Sequence, residues 1–357
     1  MIMRSTMDQN DQPTTEEDGA DFAPSDITPS RASTVMLGAF LPGLLDDVLT
    51  GQPPPEYQFT PETWGTMALR PRQITCIGGP PNTGKTALML QIVTGALLMN
   101  PDLKAIFACV EMGEQILMER VLSRLSGVYL GKILKRERDE FFAERIEAAR
   151  ALLESMASRL MFIKPPFTMI DVRAACDEFE PQIVALDYLQ RIPADLSIQE
   201  TRQQVAYTMS AVRALAEQGH AVIAAAALNR QASSRSQVRS DATDDNVNDL
   251  AAFRDSSDIE YSVDDAFVLA KGSGNVVTRH GEEYRPKKLV LRHVKARNSL
   301  TMHVPLLFDG RVQEFTLRRW DDQEQDGPQV VSPPAPRLAR GLGIDNFMEG
   351  DDDSRFV

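Results

Sequence analysis

The chain of 357 residues is 43% apolar and carries a net charge of −13. That is ample material for a core, in one large domain or two small ones, and no apolar run reaches the ~18 residues of a membrane span, which argues against a membrane partner. The charge is concentrated in the tails: residues 1–35 hold seven acids and two bases, residues 321–357 hold nine and three, and the 285 residues between are near neutral at −2, which neither favours nor excludes nucleic acid.

The opening stretch MIMRSTMDQNDQPTTEEDGADF lacks the apolar centre of a secretion signal, so cytoplasmic residence is the expectation. Residues 1–34 are polar and acidic and read as a disordered tail. Residues 35–55 form a linker or docking helix, with Leu37, Phe40, Leu41, Leu44, Leu45 and Val48 at helical spacing, interrupted by Pro42 and stopped by QPPPE. Such a helix docks on a neighbouring surface or packs on its own domain, and the pattern leaves both open.

Residues 56–320 read as the main domain. QITCIG is strand-like and leads through a glycine loop into the helix KTALMLQIVTGALL. KAIFACV precedes the helix EQILMERVLSRLSG, and one long charged helix is expected over Arg136–Leu160. LMFI, DVRAACDEF, PQIVALD, QETRQQVAYTMSAVRALAEQG and AVIAAAA continue the alternation of strand and helix, which predicts an α/β domain with a mostly parallel sheet. From DAFVLA onward, KKLVLRHV, TMHVPLLF and RVQEF follow one another without helices, as antiparallel strands extending that sheet. Residues 321–357 are a second acidic tail, rich in proline and glycine. Cys76, Cys109 and Cys176 are not spaced as a metal or disulfide set and read as small buried hydrophobes. His220, His280, His293 and His303 have no metal spacing and read as structural.

Gly79-Pro80-Pro81-Asn82-Thr83-Gly84-Lys85-Thr86 fits the phosphate-loop pattern between a strand and a helix. The glycines let backbone N–H groups turn toward a phosphate at the positive end of the helix. Lys85 then reaches the β- and γ-phosphates of a nucleotide, ATP with Mg²⁺, and the Thr86 hydroxyl ligates the metal. Asp187, ending the apolar strand IVALD, is the expected second residue on the Mg²⁺ side. Glu111 ends KAIFACV, a strand expected beside the loop strand, where a carboxylate can polarise the attacking water. A solvated acid opening the next helix is the alternative the spacing leaves open.

Five segments, in order, resemble the replicative DnaB-type hexameric helicases across residues ~60–316. FACVEMGEQILMERVLSRLSG resembles their "SLEM" segment, IVALDYLQRI their "IDYLQ", AVIAAAALNRQ their "SQLNR", AFRDSSDIEYSVDDAFVL their "LRESGAIEQDAD", and VKARNS their "KxRNG". The resemblance implies a RecA-like P-loop NTPase core, a homo-oligomeric and hexameric ring, and ATP-driven translocation on single-stranded DNA in replication. It assigns Lys85 and Thr86 to phosphate and Mg²⁺, Asp187 to the metal and Glu111 to the catalytic base. Lys295 and Arg297 would complete a neighbour's site in trans as an arginine finger, against the plain alternative of two exposed strand-end charges. The family's N-terminal primase-interacting domain has no counterpart, and only residues 34–51 match its linker helix.

The departures bear on coupling. The family's Ser-Gln pair falls on Ala226-Ala227, while Leu228, Asn229 and Arg230 are retained. In the following loop Arg230, Arg235 and Arg239 are candidate contacts to strand phosphates, interleaved with Asp241, Asp244, Asp245 and Asp249, and Arg254 is a further candidate. Ser257 and Ser299 replace family glycines. The tip IDNFMEGDDDSRFV, acidic with two phenylalanines, is a candidate recruiting segment for a protein partner, or only a solubilising tail. Two other readings stand beside the motor: a nucleotide-gated assembly scaffold, and a recombination or loading ATPase, neither of which unwinds DNA.

Overall fold

The computed structural model describes residues 35–193, 201–228, 262–272, 286–297 and 300–318. The chain divides into two units, Met1–Pro54 and Pro55–Val357. In the first, Leu37–Thr50 (α1) is a continuous helix that carries Pro42 inside it, where the sequence led us to expect an interruption. None of its residues is buried, so Leu37, Phe40, Leu44, Leu45 and Val48 stay exposed. Gly51, in the left-handed region at φ 74°, closes the helix and its N–H bonds back to Asp47 and Val48.

In the second unit a β-sheet of nine described strands forms the spine. The strands are Ile74–Gly79 (β1), Ala105–Cys109 (β2), Leu160–Ile163 (β3), Ile183–Asp187 (β4), Ala221–Ala227 (β5), Asp265–Lys271 (β6), Lys287–Ala296 (β7), Val304–Asp309 (β8) and Glu314–Leu317 (β9). Their order is β3-β2-β4-β5-β1-β6-β7-β8-β9. Pairings are parallel as far as β6 and antiparallel from β6 to β9, so the fold is the α/β, mostly parallel sheet with an antiparallel extension that the alternation predicted. The expectation that β2 lies beside the loop strand β1 is overturned, because β4 and β5 stand between them. Strand order depends on which faces bury against which helices, and periodicity along one strand does not carry that information.

Alternate residues of the strands enter two separate cores. Ile77, Phe107, Ile183, Ala185, Ile223, Ala225 and Phe267 belong to the core on one face, which contains Lys85–Met99 (α2) and Glu114–Ser126 (α3). Cys76, Ile106, Val184, Leu186, Val222, Ala224 and Val268 belong to the other, which contains Met169–Phe179 (α6) and Thr201–Glu217 (α7). Burial on both faces explains why these strands read as continuous apolar runs. β5, AVIAAAA, carries the strand formers Val222 and Ile223, its other residues are alanines of low strand propensity with methyl-sized side chains, and it packs against both α2 and α7. The cysteines are all free and buried, as expected, and burial pushes the Cys76 and Cys176 thiols up to about 12.

Of the stretch Arg136–Leu160 expected as one long helix, only Phe142–Met156 (α5) is helical, and the short helix Leu130–Lys135 (α4) ends just before it. Arg136 ends α4 at φ 58°, its N–H returned to the Ile133 carbonyl and its guanidinium bonded to Glu119 at 2.6 Å. Asp139 then takes Lys132 at 2.6 Å and accepts the Phe141 N–H at 3.2 Å. A short polar side chain bonded to nearby backbone competes with the helical ladder, and helical periodicity does not register it.

His293 is fully buried between Thr66, whose hydroxyl lies 2.6 Å from Nδ1, and Asp265, 3.1 Å from Nε2, with its ring stacked on Phe267 at 4.2 Å. The order Thr-His-Asp resembles a nucleophile relay, but the imidazole is closed to any substrate and instead ties β7 to β6 and to the Trp64–Met67 turn.

Candidate active site

β1 delivers the chain to the phosphate loop at the carboxyl end of the sheet, and α2 begins immediately after it. Asn82 at φ 62° and Gly84 at φ 95° take left-handed backbone conformations. Gly84 also lies against the stacked rings of Phe308 and Phe315, and a Cβ there would come 3.0 Å from Phe315. No side chain caps α2, so its first N–H groups remain available to an anion. Within the loop, Thr83 Oγ1 donates to the Pro80 carbonyl at 2.8 Å, and Lys85 Nζ donates to the carbonyls of Gly79 at 2.7 Å and Pro80 at 3.0 Å. Burial lowers the Lys85 ammonium below its usual range, opposed by Asp187 and Glu111.

The hydroxyl of Thr86 donates to Asp187 Oδ2 at 2.7 Å, and the Cys109 thiol lies 3.6 Å from the same oxygen. Burial and the Asp187 charge push that thiol up to about 12, which keeps it a neutral donor. Burial likewise raises the Asp187 carboxyl above the usual aspartate range, against the bonds from Thr86 and Cys109, with Glu111 adding to the rise and Lys85 opposing it. A buried carboxylate and a hydroxyl meeting at 2.7 Å form an oxygen pair of the kind Mg²⁺ selects, so the donor set fits that ion.

An acid whose pKa is raised in the folded protein binds its proton more tightly there than in the unfolded chain. Ionised Asp187 therefore subtracts stability at every pH above its unfolded value of ~3.9. Asp187→Asn should melt higher than the parent at pH 7 without metal or nucleotide, and the gain should shrink as pH falls toward ~4. Thermal unfolding across that range checks this; a variant melting lower at pH 7 would contradict it.

Glu111 lies beyond β2, yet its charge is felt by both Lys85 and Asp187, so it stands at the same end of the sheet. It is paired with Arg191 at 3.4 Å, half-exposed, and Arg191 in turn lies over the Tyr188 ring at 5.6 Å. Burial raises the Tyr188 hydroxyl, with Glu111 adding. Lys85, Thr86, Asp187 and Glu111 are thus brought together.

Lys295 and Arg297 are not. β6 runs parallel to β1 with Thr75 opposite Asp265, and β7 returns antiparallel with Ala296 opposite Asp265. They therefore stand at the entry end of β1, five residues before the loop at Gly79, or about 16 Å at ~3.3 Å per residue. Neither is a loose strand-end charge: Lys295 Nζ donates to the Val263 carbonyl at 2.8 Å, and Arg297 Nη1 donates to Asp264 Oδ1 at 2.5 Å. Arg230, Arg235, Arg239 and Arg254 lie outside the described residues.

Sequence reading missed several neighbours. Lys287 Nζ donates to the Asn82 carbonyl of the phosphate loop at 3.0 Å, and Arg191 pairs with Glu111. Gln190 donates to the Ala227 carbonyl at 2.9 Å and accepts the Ala227 N–H at 3.1 Å, clasping the backbone that lies opposite Gly79. None of them follows from spacing, though Gln190 and Arg191 fall within the segment IVALDYLQRI.

Loop, helix and buried aspartate on a mostly parallel sheet define the P-loop nucleotide-binding class. Residues 64–317 match the family described as the DnaB-like helicase C-terminal domain, and the chain belongs to that family. It is similar to the replicative DNA helicase DnaB of Helicobacter pylori, at 23% identity over 252 residues in strain J99, covering 67% of this chain and 49% of that protein. In strain 26695 it is 26% identical over 214 residues, 58% of this chain and 41% of the relative. The chain thus spans about half the length of these relatives. Among solved structures it resembles an ATPase domain with a TM-score of 0.64 and 17% identity, covering 80% of this chain and all of the other. A DnaB-like replicative helicase described with its primase interactions has a TM-score of 0.59 and 18% identity, covering 79% of this chain and 67% of the other. These likenesses establish the RecA-like fold.

Proposed function

We propose that the chain is an Mg²⁺-dependent ATP hydrolase acting as an oligomeric motor on single-stranded DNA in replication. The observation that carries this reading is the Thr86–Asp187 pair at 2.7 Å beside Lys85, in a member of the DnaB-like family. Bound Mg²⁺ would be held by Thr86 and Asp187 and would draw charge from the β- and γ-phosphates. The N–H groups opening α2 and the Lys85 ammonium receive the phosphates, Lys85 exchanging its two loop carbonyls for phosphate oxygens. Glu111 accepts a proton from the attacking water, with Arg191 orienting the carboxylate. Lys295 and Arg297, too far along the sheet to serve their own loop, meet the developing charge in an adjacent subunit, which makes the working unit an oligomer and, by family likeness, a hexameric ring. Arg230, Arg235, Arg239 and Arg254 are proposed to contact strand phosphates, and the C-terminal acidic tip a protein partner.

With ATP and Mg²⁺ at low salt, single-stranded DNA should stimulate phosphate release, and the stimulation should fall as salt rises. Hydrolysis indifferent to DNA at every salt concentration would refute the motor. One observation favours the scaffold reading in that event: Ala227 offers no side-chain amide toward a γ-phosphate, and its backbone is already clasped by Gln190.

A further inference from the structure

Among the described residues, Asp264 is the most heavily used carboxylate outside the nucleotide site. It is buried at the entry end of β1, with 4% of its side chain exposed. Oδ2 accepts the Ile74 N–H at 2.8 Å and Arg213 Nη1 at 3.1 Å, and Oδ1 accepts Arg297 Nη1 at 2.5 Å. Its backbone N–H donates to the Ile74 carbonyl at 2.9 Å, and its carbonyl accepts the Arg297 N–H at 3.0 Å. Arg213, reaching down from α7, is itself fixed by a hydrogen bond to the Ser262 carbonyl. Three chain segments distant in sequence are therefore joined through one side chain: the first residue of β1, the C-terminal half of α7 and the residue after β7.

The arrangement is uneven in a telling way. Asp264 and its bond to Ile74 are interior and the Arg213 side chain is 24% exposed, whereas 52% of the Arg297 side chain is exposed. A guanidinium has five N–H donors in a planar fork, and the bond to Asp264 engages Nη1. An exposed arginine otherwise samples many rotamers, and ordering it at the moment of use costs side-chain entropy. Asp264 removes much of that freedom beforehand, gripping the same residue by backbone and by head group. Arg213 supplies the second positive charge that keeps the buried carboxylate compensated, since a buried charge left unpaired is costly.

We propose that Asp264, braced by Arg213 and the Ile74 amide, is a positioning residue that pre-orients Arg297 for the nucleotide site of an adjacent subunit. This rests on the trans role proposed above for Arg297. The contact lies at the opposite end of β1 from the chain's own phosphate loop, so its loss should leave that chain's nucleotide binding intact.

The test uses the full chain with ATP, Mg²⁺ and single-stranded DNA. Asp264→Asn keeps the shape but weakens the grip on both guanidinium groups, and misplacing a catalytic group by about an ångström costs on the order of 100-fold. We expect kcat to fall ~10- to 100-fold with KM changed by less than about 3-fold and nucleotide binding preserved. Arg213→Gln, which leaves the Ile74 bond in place, should show the same pattern more weakly. Mixing distinguishes a role in trans: Asp264→Asn subunits have a sound nucleotide site, and Lys85→Ala subunits a sound Arg297. A 1:1 mixture should regain turnover at about one interface in four for random head-to-tail pairing. Arg297→Ala mixed with Lys85→Ala is the parallel arm. Failure of that arm refutes the trans role of Arg297 itself. Recovery there without recovery for Asp264→Asn, unchanged turnover in Asp264→Asn, or loss of nucleotide binding in both the Asp264 and Arg213 variants overturns the positioning role.

Discussion

Glu111→Gln should lower ATP turnover 10²- to 10⁴-fold, the range general-base catalysis spans, while nucleotide and Mg²⁺ still bind. The substitution preserves size and leaves Lys85, Thr86 and Asp187 in place, removing only the ability to take a proton. Its cost to the fold should be small, because the Glu111–Arg191 pair has 42% and 61% of its side chains exposed and such pairs contribute ~1 kcal/mol or less. Single-turnover hydrolysis alongside a nucleotide titration separates the two effects. Turnover equal to the parent would remove Glu111 from the reaction. Loss of binding together with turnover would make it a phosphate-site residue rather than a base. Oligomers that persist in this variant on ATP alone, with no DNA response in the parent, would favour the scaffold over the motor.

The largest stability effect is expected at Gly95, in the middle of α2. A Cβ there would fall 2.1 Å from the Phe59 carbonyl oxygen, a backbone atom that no rotamer change can move aside. Phe59 is itself locked by an edge-to-face contact with Trp64 at 5.6 Å, and Asn100 Nδ2 holds the neighbouring Gln58 carbonyl at 2.8 Å. Gly95→Ala would gain up to ~1 kcal/mol of helix propensity at an unhindered site. Here α2 or the 57–59 segment must move, and overpacking of a well-filled core costs about 1–3 kcal/mol, with backbone against backbone at the upper end or beyond. We expect a net loss of about 2 kcal/mol or more in denaturant unfolding. Because α2 opens directly from the phosphate loop, weaker nucleotide binding should accompany it. A variant as stable as the parent would show that the approach relaxes freely.

Much of the site was legible because its chemistry is local. The loop from Gly79 to Thr86 must be contiguous, since consecutive N–H groups turn around one phosphate, and Asp187 is marked by ending an apolar strand. The partners that tune these residues were not legible. Cys109 meets Asp187 across two paired strands, Arg191 meets Glu111 from a turn eighty residues on, and Phe308 and Phe315 close over Gly84 from the far end of the domain. Each is a contact between residues remote in sequence, with no period or spacing to betray it. The late start of the helix expected from Arg136, at Phe142, had a local cause, the Asp139 turn, but the helical periodicity of the stretch masked it.

Taken alone, the sequence specified most of the elements and their kind. Apolar runs buried on both faces, interleaved with amphipathic helices, specify an α/β layer whatever the order of strands, and the ordered segments from FACVEM to VKARNS specify the family. Where the charges stand follows from the order and direction of the strands. The tertiary structure put β4 and β5 between Glu111 and the loop strand, yet kept Glu111 at the end of the sheet shared by Lys85 and Asp187. It carried Arg297 to the opposite end, onto a buried Asp264 that the sequence showed only as one acid of a pair. The reason is physical: burial and hydrogen bonding within a strand depend on its own residues, whereas the distance between two charges depends on how the whole sheet is ordered and in which direction each strand runs.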